Sequence, residues 1–193
     1  KSLIFLLLSV IFWFAAYNAA TSKFSVYAQN VLGMNFSLPL MVAQGAAIIS
    51  YIPIGLIASK VGRKKTIIVG VSLLFLAFLL GCFVNENTTF LMYITMALAG
   101  IAWATINVNS YPMVVEMANN KNIGVYTGYY YTASMGAQII TPMLSGLIMD
   151  LTNTMRSLFP YCCIFSILAI VTMIFVKHGD SKPIPSKSIH FED

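Results

Sequence analysis

Apolar residues run along this chain in six long stretches separated by short polar interruptions, at roughly 2–22, 38–58, 66–84, 90–115, 123–149 and 157–176. Each is near or above the 20 or so residues that an α-helix needs to cross a bilayer. The pattern does not alternate with period two, so a membrane β-barrel is not expected. It predicts an all-α membrane protein: a six-helix bundle over 1–176 and a polar tail over 177–193. The fourth and fifth runs are long, which implies tilt or ends that stand in water. The tail, "KHGDSKPIPSKSIHFED", has the composition of a disordered segment.

Charge sharpens this picture. Hydrophobic residues make up 59% of the 193 and charged residues only 9%, whereas a soluble domain carries about a quarter charged. A net charge of +5 raises the possibility of nucleic acid, but the cations stand at the ends of apolar runs rather than on one polar face, so no nucleic-acid partner is expected. Lys1, Lys60, Arg63, Lys64, Lys65, Lys121, Lys177, Lys182 and Lys187 fall on one side of the membrane, and only Lys23 and Arg156 on the other. Nine against two puts both ends of the segment in the cytoplasm. The chain begins at Lys1 without Met, which suggests a piece of a longer protein. Its first twenty residues also have the outline of a signal peptide, but that apolar run is long enough to span.

Cys82, Cys162 and Cys163 lie within apolar runs and have no metal-site spacing, so they read as small hydrophobes. No metal or cofactor is expected. His178 and His190 lie in the tail. The triplets beginning at Asn35 and Asn87 fit a glycosylation pattern but carry no functional weight. No carboxylate pair or nucleophile–histidine arrangement sits within the spans, so the chain is not read as an enzyme.

Two stretches repeat. "GAAIISYIPIGLI" from Gly45 and "GAQIITPMLSGLI" from Gly136 are identical at seven of thirteen positions, and the spans that hold them run in opposite directions. Two inverted three-helix repeats would produce this, an arrangement common among transporters. The amides agree: Asn18, Gln44, Asn107, Asn109 and Gln138 lie in spans one, two, four and five, while spans three and six have none. An amide facing lipid loses its water hydrogen bonds, so these side chains are expected to turn toward one hydrated space, with spans three and six outside. The fifth span adds a stripe of small residues, Gly124, Gly128, Thr132 and Gly136, at which another helix can approach closely, statically or as a sliding surface.

The densest cationic cluster, "GLIASKVGRKK", lies between the second and third spans. Its Gly55, Lys60, Gly62, Arg63 and Lys64 resemble the signature loop of the major facilitator superfamily, except that Ser59 occupies the acidic position. A serine there can accept a hydrogen bond at a helix N-terminus but brings no charge. Gly62 suits a tight turn, and Arg63 has a candidate partner in Glu116 at the end of the fourth span. The simpler reading is a cluster that only fixes orientation. More narrowly, "GIAWATINVNSYPMVVEMA" and "NIGVYTGYYYTASMGAQIITPMLSG" resemble the glycoside–pentoside–hexuronide cation symporters, nearest the bacterial relatives of sucrose–proton symporters.

That resemblance implies the C-terminal six-helix half of a secondary transporter in a bacterial cytoplasmic membrane. Its partners would be the N-terminal half, membrane lipid and a small sugar, with a proton or sodium as coupling ion. A non-transporting sensor or scaffold and a drug exporter are the alternatives. A sugar site needs hydrogen-bonding amides and aromatic faces near the midplane. Tyr17, Asn18, Gln44, Trp103, Asn107 and Gln138 are the candidates, each with packing or an interhelical hydrogen bond as its structural alternative. "YYY" at 129–131 reads as packing, and Asn109 as an aid to a bend ahead of Pro112. No ionisable residue lies near the midplane, so a coupling carboxylate is expected in the other half.

Overall fold

A computed structural model describes residues 2–118 and 122–179. Lys1, Lys121, Lys182, Lys187, His190 and the expected disorder of 180–193 fall outside the described residues.

Six α-helices account for most of the described chain: α1 (Ser2–Val31), α2 (Ser37–Val61), α3 (Arg63–Cys82), α4 (Phe90–Glu116), α5 (Ile123–Leu151) and α6 (Leu158–Ile174). Short 3-10 turns at Glu86–Thr88 and Met155–Ser157 lead into α4 and α6. Five of the helices are long and apolar enough to cross a membrane. α5 has the length, at 29 residues, but Thr127, Thr132, Ser134, Gln138, Thr141 and Ser145 lower its hydropathy.

α1 is the other departure from the expected runs, continuing to Val31 instead of stopping near 22. Lys23 and Gln29 are good helix formers, and beyond them Tyr27 and Ala28 are buried, with Tyr27 edge-on to Phe159 at 5.1 Å. The helix ends only where Gly33 takes φ 60°, a left-handed conformation open to glycine.

α1 packs against α5 and α6, α4 packs against α2 and α3, and α3 meets α6 between the two groups. In lipid such contacts rest on van der Waals fit and hydrogen bonds rather than on hydrophobic burial. Accordingly α2 faces α4 with Ala43, Ala47 and Ala58, and a Cβ added to Gly100 would fall 2.0 Å from the Ala43 carbonyl oxygen. Ser9 Oγ donates to the Ala169 carbonyl at 2.8 Å, joining α1 to α6. Ser110 and Tyr130 hydroxyls meet at 3.0 Å, and Tyr111 and Thr127 at 3.3 Å, joining α4 to α5.

Among the described residues, no helix packs closely on the glycines of the small-residue stripe on α5. A Cβ at Gly124, Gly128 or Gly136 would meet nothing within 4 Å, and Thr132 is exposed. Close approach occurs instead at Gly70, Gly81 and Gly100, where α3 and α4 meet their neighbours. The two repeated stretches share one exposure pattern: Ile48, Ile49, Ile52 and Leu56 are exposed on α2, and Ile139, Ile140, Met143 and Leu147 at the equivalent places on α5.

Candidate functional site

The feature with most chemistry lies where α1 passes α4. The Tyr17 ring stacks almost parallel on Trp103, 4.0 Å between centroids and 10° between planes, and Phe14 meets the same indole edge-on at 5.0 Å. One turn beyond Phe14 and one turn beyond Trp103 stands an asparagine. Asn18 Nδ2 donates to the Phe14 carbonyl at 2.8 Å, and Asn107 Nδ2 to the Trp103 carbonyl at 2.9 Å. Each amide thus satisfies one donor on its own helix and has its remaining hydrogen-bonding capacity to offer. Both are half-buried, as is Trp103. Tyr17 is buried and its hydroxyl, like those of Thr95 and Tyr161 and the Trp13 indole N–H, has no hydrogen-bond partner among the described residues, a costly state for a polar atom in an apolar interior.

The structure sets Tyr17 of α1 against Trp103 of α4 and leaves Asn18 and Asn107 half-buried on the same two helices. It does not enclose the other two expected site residues. Gln44 and Gln138 are exposed, because α2 and α5 turn their Ala and Ser residues inward, leaving the longer amides on the open faces. The described residues by themselves form no single space that encloses all these amides. Asn109, on the same helix as Asn107, is almost fully buried and donates to the Thr105 carbonyl at 2.8 Å, one turn before Pro112.

The sequence reading missed two elements. An aromatic residue followed four positions later by Asn occurs on both α1 ("FAAYN") and α4 ("WATIN"), a signal visible to direct comparison of those spans. The other is the hydrogen bond between the Tyr130 and Ser110 hydroxyls, which ties α5 to α4. Within "YYY", Tyr130 is buried against Tyr111 at 5.4 Å, while Tyr129 and Tyr131 are exposed.

The basic loop is shorter than its charge suggests. Only Gly62, at φ 99° and ψ 148°, separates α2 from α3, a conformation that strains any residue with a Cβ. Arg63 Nη1 lies 2.5 Å from Glu116 Oε1, tying the start of α3 to the end of α4. Lys64 Nζ donates to the carbonyls of Ile174 and Val176, which caps the end of α6. Lys60 is exposed in the last turn of α2, and Gly55 lies near Val108 of α4. Ser59 does not serve the α3 N-terminus as expected. It is inside the last turn of α2, where its Oγ donates to the Leu56 carbonyl at 2.7 Å.

Two grooves complete the surface. One of about 440 Å³ runs between α1, α5 and α6 and is almost wholly apolar, with Ile11, Ala15, Ile140, Leu144 and Phe165 among its walls. The other, about 500 Å³ and polar, lies at the end opposite the basic loop, with Lys23 and Asp150 on its rim.

The family model of the Major Facilitator Superfamily matches residues 7–192, nearly the whole chain. The chain belongs to this superfamily. It is an integral membrane protein of a transporter family. A comparison with curated proteins finds no match. Among solved structures, the chain resembles a mutant of the peptide transporter POT in complex with sulfate, with TM-score 0.82 and 16% identity over 95% of this chain and 40% of that one. It resembles the inward-open xylose transporter XylE from E. coli, with TM-score 0.76 and 16% identity over 91% and 48%. A POT family transporter in complex with a thioalcohol-conjugated peptide gives 0.72 and 21% over 92% and 38%. At these identities the likeness is one of fold, and the chain spans less than half the length of these transporters.

Proposed function

We propose that this chain is one half of a secondary transporter that moves a glycoside or disaccharide, with a proton or sodium ion, by alternating access. The observation that carries the reading is the Tyr17–Trp103 stack with its two flanking asparagines and an unpartnered phenol. Ring faces against C–H surfaces and amides against hydroxyls are the chemistry of sugar recognition, and α1 and α4 supply both at mid-helix depth.

Two inverted three-helix repeats belong to this proposal. Exchanging α1 with α4, α2 with α5 and α3 with α6 carries the main helix contacts onto one another, apart from α4–α5, and the repeated stretches of α2 and α5 expose matching residues. In the whole protein, the open faces of α2 and α5 would meet an N-terminal six-helix half, with Gln44, Gln138 and the α5 stripe turned toward it. Lipid would cover the rest. The basic end, with Gly55, Ser59, Lys60, Gly62, Arg63, Lys64 and Glu116, would face the cytoplasm of a bacterium. Its ion pair would hold α3 and α4 together as that half rocks. The coupling carboxylate would lie in the other half.

The apolar groove favours one rival, an exporter of amphiphilic drugs. Uptake of labelled disaccharides into right-side-out vesicles holding the full-length protein separates the readings. Trp103→Ala and Asn107→Ala should each lower uptake at least tenfold. Binding without accumulation would point to a sensor. Drug efflux untouched by either substitution would point to the exporter.

A further inference from the structure

α3 reaches α6 at the end of the bundle away from the basic loop, and the approach is close. A Cβ on Gly81 would fall 2.7 Å from the Phe159 ring, so a bulkier residue there would push the helices apart. The next residue, Cys82, closes α3, and its Sγ lies 4.0 Å from Sγ of Cys163, one turn after Phe159 on α6. Cys82 is half-exposed and Cys163 nearly buried. Cys162 is fully buried and, as the adjacent residue, is turned about 100° away around the helix.

We propose that Cys82 and Cys163 form a disulfide that joins α3 to α6. Bonding requires the sulfurs to close by about 2 Å, to about 2.05 Å. Cys82 is the last residue of α3 and its side chain is half-exposed, so a change of its χ1 rotamer is the movement available to its sulfur. The proposal rests on the orientation given above, which puts this end on the non-cytoplasmic, oxidising side.

The oxidant is a dithiol–disulfide exchange protein. The Cys82 thiolate attacks one sulfur of the oxidant's disulfide, breaking that bond and releasing one of its thiols. Cys163, after losing its proton, attacks the Cys82 sulfur and expels the second thiol. Two cysteine thiols thereby lose two electrons and two protons, and the oxidant leaves as a dithiol. The bond lies within one half of the transporter, so it would resist unfolding of that half without crossing the gap that opens and closes.

The test uses full-length protein in native membranes, quenched with N-ethylmaleimide before denaturation. Mass spectrometry of unreduced digests should show a peptide containing Cys82 linked to one containing Cys163. Cys162→Ser should keep the link, Cys82→Ser and Cys163→Ser should lose it, and reductant should lower the thermal midpoint of the parent by several degrees. Recovery of Cys82 and Cys163 as alkylated thiols from unreduced membranes overturns the proposal. A second arm separates its premises: after reduction, an impermeant maleimide is added to sealed right-side-out vesicles. If Cys82 is tagged there yet was never linked, the disulfide alone fails. If it is tagged only in inverted vesicles, the orientation fails with it.

Discussion

Gly100→Ala tests whether the α2–α4 contact depends on bare backbone. The added Cβ would lie 2.0 Å from the Ala43 carbonyl oxygen, 2.8 Å from its carbon and 3.0 Å from its Cα. All three are main-chain atoms, so no side-chain rotation relieves the clash, and the helices must separate by about 1 Å. Overpacking of this kind costs about 1–3 kcal/mol, and a backbone obstacle argues for the upper end. Alanine returns about 1 kcal/mol in helix propensity, leaving a net loss of about 2 kcal/mol. For a domain of this length that is a fall in thermal midpoint of roughly 4–8 °C. Tryptophan fluorescence of Trp13 and Trp103 during a thermal ramp in lipid nanodiscs would report it. Gly45→Ala is the control, since its Cβ would meet nothing within 4 Å; that variant should hold or slightly raise the midpoint. If Gly100→Ala melts with the parent or above it, α2 and α4 do not meet as described.

Arg63→Ala should cost less than about 1 kcal/mol, because both partners of its ion pair are partly open to solvent, at 26% and 32%. If the pair also holds the basic end closed during transport, uptake by that variant should change far more than its melting point does. Lys64→Met removes both donors from the end of α6, so amide exchange over 171–176 should quicken while the rest of α6 stays protected. Tyr17→Phe deletes a buried hydroxyl that has no partner, so it should leave stability level or raise it. In the proposed site that hydroxyl meets substrate, so the same variant should weaken sugar binding about fivefold or more. A loss of stability with binding intact would refute both statements.

Apolar run length located the six α-helices of the described residues, although α5 falls short of the apolar character that a bilayer span requires. It could not find where the helices stop. Lys23 reads as a terminus on a hydropathy scale, yet α1 continues for eight residues because Tyr27 and Ala28 have a packing partner in α6. Ser59 and Arg63 show the same limit at the loop. Their spacing fits a family signature, but only coordinates reveal that α2 swallows the serine and that a single glycine makes the turn. The α5 stripe shows a different limit. A pattern of small residues marks where a helix can be approached, and says nothing of whether the approaching helix belongs to the same chain.

The asparagines show why polar residues in such helices identify a site only in combination. Asn18, Asn107 and Asn109 all donate to the carbonyl four residues earlier, at 2.8, 2.9 and 2.8 Å. By that criterion the three are alike, each lowering the cost of its own burial on its own helix. Exposure separates them. Asn109 is almost fully enclosed and beside Pro112, where its bond tightens a helix that has lost a backbone donor, whereas Asn18 and Asn107 stay half-open beside a pair of stacked rings. An amide satisfied only in part, adjoining an aromatic pair and a phenol without a partner, is held in a state that an incoming hydroxyl would improve. That remaining hydrogen-bonding capacity, half-open beside rings already stacked on each other, is the physical basis for putting the proposed sugar next to the α1–α4 contact.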